Sequence, residues 1–271
     1  MHVIFCGAGT SAFIGDTLVA WLRGRFESSN PVTFESVSTT NLVANPAQYL
    51  KVDRPIIMVS FARSGNSPES LAAIELANSR LRECYHLVCT CNEKGRLALE
   101  VGSLPDTYKL SLPACTHDQG FAMTSSYTAM LVATAEVFFP NEGQLEVVAN
   151  LAEELINLRV SEISTLAHMK FDRLVVLGAG LLEGTAREFA LKCLELAGGG
   201  LVATSDTPLG FRHGPKIMVT ANTVVVHLQS NDSYTQLYDR DLHASGTKGA
   251  NDSSHTGCDQ DILKSVWQWR H

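Results

Sequence analysis

One short pattern occurs twice in this chain and restricts its fold more than anything else in it. Val3-Ile4-Phe5-Cys6 runs into Gly7-Ala8-Gly9-Thr10, and Leu174-Val175-Val176-Leu177 runs into Gly178-Ala179-Gly180-Leu181. An apolar-periodic run follows each copy, from Phe13 to Leu22 and from Leu182 to Leu196. The pattern reads as strand, glycine turn and helix. More strands are expected at Val32–Glu35, Pro55–Phe61, Tyr85–Thr90, Thr107–Leu112 and Val224–Leu228. Helices are expected at Pro68–Leu81, at Met123–Phe139 as a long buried helix, and at Glu146–His168. Strands that are apolar throughout, alternating with helices, predict parallel sheets covered on both faces. The expected class is α/β: two similar subdomains, each a mostly parallel sheet flanked by helices. The first spans 1–142, the second 143–242, and an irregular tail rich in Ser, Gly, Asp and Thr spans 243–271.

The 271 residues are 45% hydrophobic, enough for a substantial core. The net charge of −7 argues against a nucleic-acid groove and against an anionic membrane surface. No run of apolar residues is long enough to span a bilayer, and no charged leader precedes the first strand. The seven cysteines are odd in number and scattered. Cys6, Cys84, Cys89, Cys115 and Cys193 lie in or beside apolar segments, which reads as reduced, buried thiols in a cytoplasmic protein. Cys89-Thr90-Cys91 is a weak metal signal beside that reading. The first strand opens at Val3, and the tail closes on Trp267-Gln268-Trp269 with no partner element. That is the pattern of a loose tail, or of a chain that has lost elements at its ends.

Two of the strand–helix turns suit an anion. In Gly7-Ala8-Gly9-Thr10-Ser11 the glycines permit a tight turn, the helix start presents N–H groups, and Thr10 and Ser11 add hydroxyls. The third glycine of a dinucleotide fingerprint is replaced by Ala12, and no P-loop lysine is present. The same residues also make an ordinary turn. The second turn is more specific. Between Ser60 and Ser70 stand four serines, with Arg63 to add charge. Ser64 and Ser67 bracket a glycine turn where their hydroxyls can join the N–H groups of the next helix. Ser67 also suits a plain N-cap before Pro68. Two such turns in one open sheet place a phosphorylated ligand at the strands' C-terminal ends.

Three residues stand out as chemical candidates. Glu195 closes its helix, Lys192 lies three residues earlier on the same face, and Gly198-Gly199-Gly200 follows. The pair is either a salt bridge or a base held beside a ligand. His213 stands in Phe211-Arg212-His213-Gly214-Pro215-Lys216, on a turn between basic neighbours. No second histidine or cysteine lies at ligand spacing, so acid–base work suits it better than a metal. His117-Asp118 is a weaker pair of that type, or simply a polar loop.

These motifs together resemble the double-SIS (sugar isomerase) family. The matching stretches run from Gly7 to Asp16, Phe61 to Ser70, Ala122 to Ser126 and Pro208 to Lys216. They are most similar to the AgaS-type group of tagatose-6-phosphate ketose/aldose isomerases and galactosamine-6-phosphate deaminases. The isomerase half of glucosamine-6-phosphate synthase is a more distant likeness. The resemblance covers about residues 3 to 242. It implies a sugar phosphate held by Ser11, Ser64, Ser67 and Thr124, with Thr10, Arg63 and Ser125 as lesser contacts. It implies Glu195 as the proton-shuttling base, Lys192 at the reacting end of the sugar, and His213 as the ring-opening group reaching a neighbouring subunit. A homodimer or larger oligomer with a shared site follows, with no metal or other cofactor. The synthase's C-terminal lysine has no counterpart, and neither do the flanking helices or the last strand.

The expected function is aldose–ketose isomerisation of a hexose 6-phosphate through an enediol. The alternatives are a galactosamine-6-phosphate deaminase that releases ammonia, a non-catalytic sugar-phosphate sensor, and a truncated inactive relic.

Overall fold

The computed structural model describes residues 1–26, 32–51, 54–140 and 145–239. The expected tail at 243–271 lies outside the described residues. Strands β1 (His2–Gly7), β2 (Thr33–Ser38), β3 (Ile56–Ala62), β4 (Cys84–Thr90) and β5 (Thr107–Ser111) form one sheet in the order β2-β1-β3-β4-β5. Strands β6 (Arg173–Gly178), β7 (Val202–Asp206) and β8 (Thr223–Leu228) form a second, ordered β7-β6-β8. Every pairing in both sheets is parallel. The helices among the described residues include α1 (Thr10–Arg23), α2 (Thr39–Ala44), α3 (Pro46–Tyr49), α4 (Pro68–Arg80), α5 (Ser125–Phe138), α6 (Leu145–Leu158), α7 (Val160–Ala167), α8 (Leu182–Leu196) and α9 (Pro208–Arg212).

Strand alternation explains the two layers around the larger sheet. Ile4 and Cys6 of β1 point with Ile56 and Met58 of β3 into a core with Leu42 of α2 and Ile74 of α4. Val3 and Phe5 point the other way with Val59 and Phe61, against Ile14, Leu18 and Leu22 of α1 and Met130 of α5. Phe5 stacks with Phe61 at 6.1 Å and meets Phe138 edge-on at 5.7 Å. Each such buried side chain contributes about 1.5–3 kcal/mol. Strands flanked by helices on both faces are mostly apolar, and β1 and β3 are so apart from the buried His2 and Ser60.

The repeated glycine turns have matching backbones. Gly9 has φ 56° and Gly180 has φ 59°, the left-handed region that glycine tolerates best. A Cβ on Gly7 would stand 2.5 Å from the Ser11 carbonyl, and one on Gly178 2.4 Å from that of Leu182. In both copies the helix's first turn folds back over the strand end, which excludes a side chain there.

Several details differ from the expectations. The helix expected over Glu146–His168 is divided at Arg159 into α6 and α7. Neither piece buries a residue, so no core contact holds them on one axis. Helix α5 is only half-buried; Val137 is 47% exposed. Strand β7 was not expected because Val202-Ala203-Thr204-Ser205-Asp206 has no continuous apolar run; it is an edge strand paired with β6 alone. The short α2, α3 and α9 are too brief to show a helical period. Cys115 is exposed rather than buried, because it sits in a short turn over Ala114–Thr116 outside the sheet. The six described cysteines are free thiols.

The two sheets are joined where α8 lies on α1. Gly184 permits that approach: a Cβ there would stand 2.3 Å from Thr17 Oγ1 and 2.9 Å from the Phe13 carbonyl. Arg187 Nη1 then reaches Asp16 Oδ2 at 2.8 Å. Gly184→Val should therefore force the helices apart and cost about 1–3 kcal/mol. A lowered urea midpoint is the expected result; an unchanged midpoint would mean the helices do not pack this closely.

Candidate functional site

Strands β1 and β3 are neighbours, with Cys6 opposite Ser60. The chain winds outward from them in opposite directions, to β2 on one side and to β4 and β5 on the other. This is the topological switch point of the sheet, where such folds form a crevice beyond the strands' C-terminal ends. The two anion-suited turns lie side by side at that point.

The β1–α1 turn carries Thr10 and Ser11, which are 4% and 5% exposed. No side chain caps α1, because its N-cap is Gly9. The β3–α4 turn is held by its neighbours. Gly65 takes φ 67°, its carbonyl accepts from Leu97 N at 2.8 Å, and Asn92 Nδ2 donates to the Ser64 carbonyl at 2.9 Å. Ser64 Oγ accepts weakly from Asn66 N at 3.4 Å and is half-buried. Ser67 is the N-cap of α4: its Oγ accepts from Ser70 N at 3.3 Å and pairs with Ser70 Oγ at 2.8 Å.

A third segment closes over these turns. Arg63 Nη1 donates to the carbonyls of Gly120 and Phe121 at 3.0 and 3.2 Å. Ser11 Oγ lies 3.9 Å from Met123 Sδ. The arrangement of Thr124 and Ser125 was not legible from their types. Both donate to Asp118, which accepts from Thr124 N, Thr124 Oγ1, Ser125 N, Ser126 N and Ser126 Oγ. Burial pushes the Asp118 carboxyl up, but the bonds from Ser126 and Thr124 outweigh it and hold it well below the usual carboxylate range. The start of α5 is thus already occupied by a carboxylate of the chain itself.

Helix α8 brings the chemical candidates to the first turn. Lys192 Nζ donates to Thr10 Oγ1 at 3.0 Å and is in close contact with Glu195 Oε2. Its other neighbour is Glu188, with Oε1 at 3.5 Å. Glu188 was not singled out from the sequence. It is 6% exposed, and its Oε2 is buried without a hydrogen-bond partner. Burial pushes its carboxyl up to about 7, against the opposing pull of Lys192 and Thr10. The signal that could have found it is its place four residues before Lys192 and seven before Glu195, on one helical face.

The structure brings Thr10, Ser11, Lys192 and Glu195 together and sets Arg63, Ser64 and Ser67 on the adjoining turn. It does not bring His213 into this group. That residue follows α9 and is exposed; its backbone N–H donates to the Gly210 carbonyl at 3.0 Å, while its side chain makes no hydrogen bond among the described residues. A separate cleft of about 290 Å³ lies beside Gly180, lined in part by Arg23, Glu35, Glu183 and Arg187. Arg187 there is paired with both Asp16 and Glu183. Among the described residues, no group of three or more His, Cys, Asp or Glu is placed to hold a metal, and no helix is long and apolar enough to cross a membrane.

The SIS domain model matches residues 1–138. The chain is 43% identical over 242 residues to D-galactosamine-6-phosphate deaminase AgaS of Shewanella sp. strain ANA-3, covering 89% of this chain and 62% of that protein. It is 46% identical over 248 residues to D-galactosamine-6-phosphate deaminase AgaS of Escherichia coli, covering 90% of this chain and 64% of that protein. The chain thus spans less than two thirds of these relatives. Its fold matches the crystal structure of tagatose-6-phosphate ketose/aldose isomerase from Escherichia coli with a TM-score of 0.85 and 42% identity, over 97% of this chain and 72% of that one.

A hydroxyl bonded to a charged acceptor contributes about 1.5–3 kcal/mol. Ser64→Ala should therefore weaken binding of a hexose 6-phosphate, read by calorimetry, with little change in melting temperature. Equal affinity in a folded variant would remove Ser64 from the site.

Proposed function

The chain belongs to the SIS-domain family, and from that premise we propose that it binds a hexose 6-phosphate and takes part in aldose–ketose isomerisation through an enediol. The observation that carries this reading is the contact of Lys192 with Thr10, which sets the Lys192–Glu195 pair against the first anion turn. The phosphate sits over the turns of Ser11 and Ser64–Ser67, with Thr124, Ser125 and Arg63 at its edge. The sugar carbons then lie toward α8. Glu195 moves the proton between C1 and C2, and Lys192 meets the negative charge that forms on the enediol oxygen. We take the chain as two subdomains, 1–142 and 143–242, a division that the two separate sheets support, with the site where α8 of the second meets the first.

The relatives named galactosamine-6-phosphate deaminase favour a second reading, in which the same proton transfer ends in loss of ammonia. The solved neighbour named as a ketose/aldose isomerase favours the first. Tagatose 6-phosphate and galactosamine 6-phosphate tested side by side distinguish them: ammonia marks the deaminase, and conversion without it the isomerase. With either substrate, Glu195→Gln should abolish exchange of the C2 proton with deuterated water while binding persists. Exchange at the wild-type rate would mean that Glu195 is not the base.

His213 stands apart from Glu195 and is exposed. This supports a site shared between two copies, with His213 of one serving Glu195 of the other and opening the sugar ring. Glu195→Gln and His213→Asn, each inactive alone, should recover part of the activity once mixed, because one site of each mixed dimer is then intact. Mixed dimers without activity would rule out sharing.

A further inference from the structure

Helix α8 carries a row of three groups. Glu188, Lys192 and Glu195 share one helical face, and side-chain exposure rises along it from 8% through 16% to 20%. The inner end is sealed from water. Glu188 Oε1 lies 3.5 Å from the ammonium of Lys192, while Glu188 Oε2 is buried with no hydrogen-bond partner. The outer end is the Glu195 carboxyl, at the ligand crevice. An ionised carboxyl with a bare, buried oxygen is costly, and protonation is the ordinary relief. The groups that face Glu188 are Thr10 from α1, Tyr127 from α5, and Lys192 and Glu195 from its own helix. The Tyr127 hydroxyl is also buried, and burial, with Glu188 among the lesser causes, pushes it up against the opposing pull of Thr17 and Thr185. Lys192 is the cation of the row.

We propose that Glu188 is a positioning residue that acts through Lys192 as a proton reserve, restoring the ammonium each time Lys192 protonates a substrate oxygen. This rests on the reading of Glu195 as the base. From the ketose, Glu195 removes a proton from C1. The C1–H electron pair becomes the C1=C2 bond, and the C2 carbonyl oxygen takes a proton from Lys192. The neutral amine of Lys192 then takes the proton of the Glu188 carboxyl. In the second half Lys192 returns a proton to Glu188 and accepts the proton of the O1 hydroxyl. The O1–H pair becomes the C1 carbonyl, and C2 takes its proton from Glu195. All three side chains end as they began, and no co-reactant is consumed.

The burial of Glu188 makes this possible near neutral pH, since its carboxyl is pushed up to about 7. The reserve must hold its proton, so kcat should fall as pH rises through that value. Glu188→Gln keeps the size and one acceptor but has no proton to release. It should lower kcat about 100-fold with KM nearly unchanged, and the fall of kcat near neutral pH should vanish from its profile. A folded Glu188→Gln enzyme that retains the wild-type kcat and the same pH limb, beside an inactive Glu195→Gln, overturns the reserve alone. An active Glu195→Gln overturns the underlying reading, and the reserve with it. Carboxyl carbon NMR of glutamate-labelled wild-type protein tests the same point without catalysis. The Glu188 resonance, assigned by its absence in Glu188→Gln, should titrate near neutrality; a midpoint in the ordinary carboxylate range overturns the proposal.

Discussion

Lys192 can reach Thr10 only because α8 lies against α1 almost without side chains between them. Gly184 sits over the Phe13 carbonyl and Thr17, and no larger residue fits there. Everything chemical about the crevice depends on this approach. The larger sheet supplies the turns that suit a phosphate, and the smaller sheet supplies the carboxyl and ammonium groups. A rotation of α8 by one residue would turn Glu188, Lys192 and Glu195 off that face together, since they share it. The ion pair of Arg187, the residue just before Glu188, with Asp16 helps to fix that rotation.

Charge within the site is distributed by burial more than by number. The chain is acidic overall, yet the turns at the crevice use hydroxyls, backbone N–H groups and Arg63. Asp118 is the exception. Its charge is kept because five donors surround it at the start of α5, where the helix dipole also favours an anion. Glu188 is the opposite case, a carboxyl with one oxygen left bare. Two acidic residues of one molecule thus lie on either side of the ordinary carboxylate range: burial dominates at Glu188, and the surrounding donors dominate at Asp118.

The parts of the fold that could be read from the sequence are those in which a local pattern and the tertiary structure agree. The Ser67 cap and Pro68 placed the start of α4, and the apolar period bounded α8 at Leu182 and Leu196. Where packing decides, the text was silent. β7 is a half-exposed edge strand with no continuous apolar run, and the break at Arg159 has no glycine or proline to mark it. Of the candidate site, the two strand–helix turns were legible by residue type, because their glycines and hydroxyls mark a tight turn and a helix start. The site was not legible at Glu188, whose type is common on exposed helices and whose burial arises from α1 and α5 arriving from elsewhere in the chain. The engagement of Thr124 and Ser125 by Asp118 was hidden for a similar reason: a hydroxyl's partner is a matter of loop path.

The twin glycine turns have a consequence for how asymmetry arises. Gly9 and Gly180 hold the same backbone angle, yet Thr10 and Ser11 follow the first and Leu181 and Leu182 the second. One turn carries hydroxyls and faces the crevice; the other carries apolar side chains, and its helix lies against its counterpart. Two units that share a turn of this kind need not do the same work. The copy relieved of the anion can present its long helix sideways, and residues two and three turns along that helix then reach a place that its own turn never touches. An uneven site is built in this way from two turns of the same shape, with neither backbone having to depart from it.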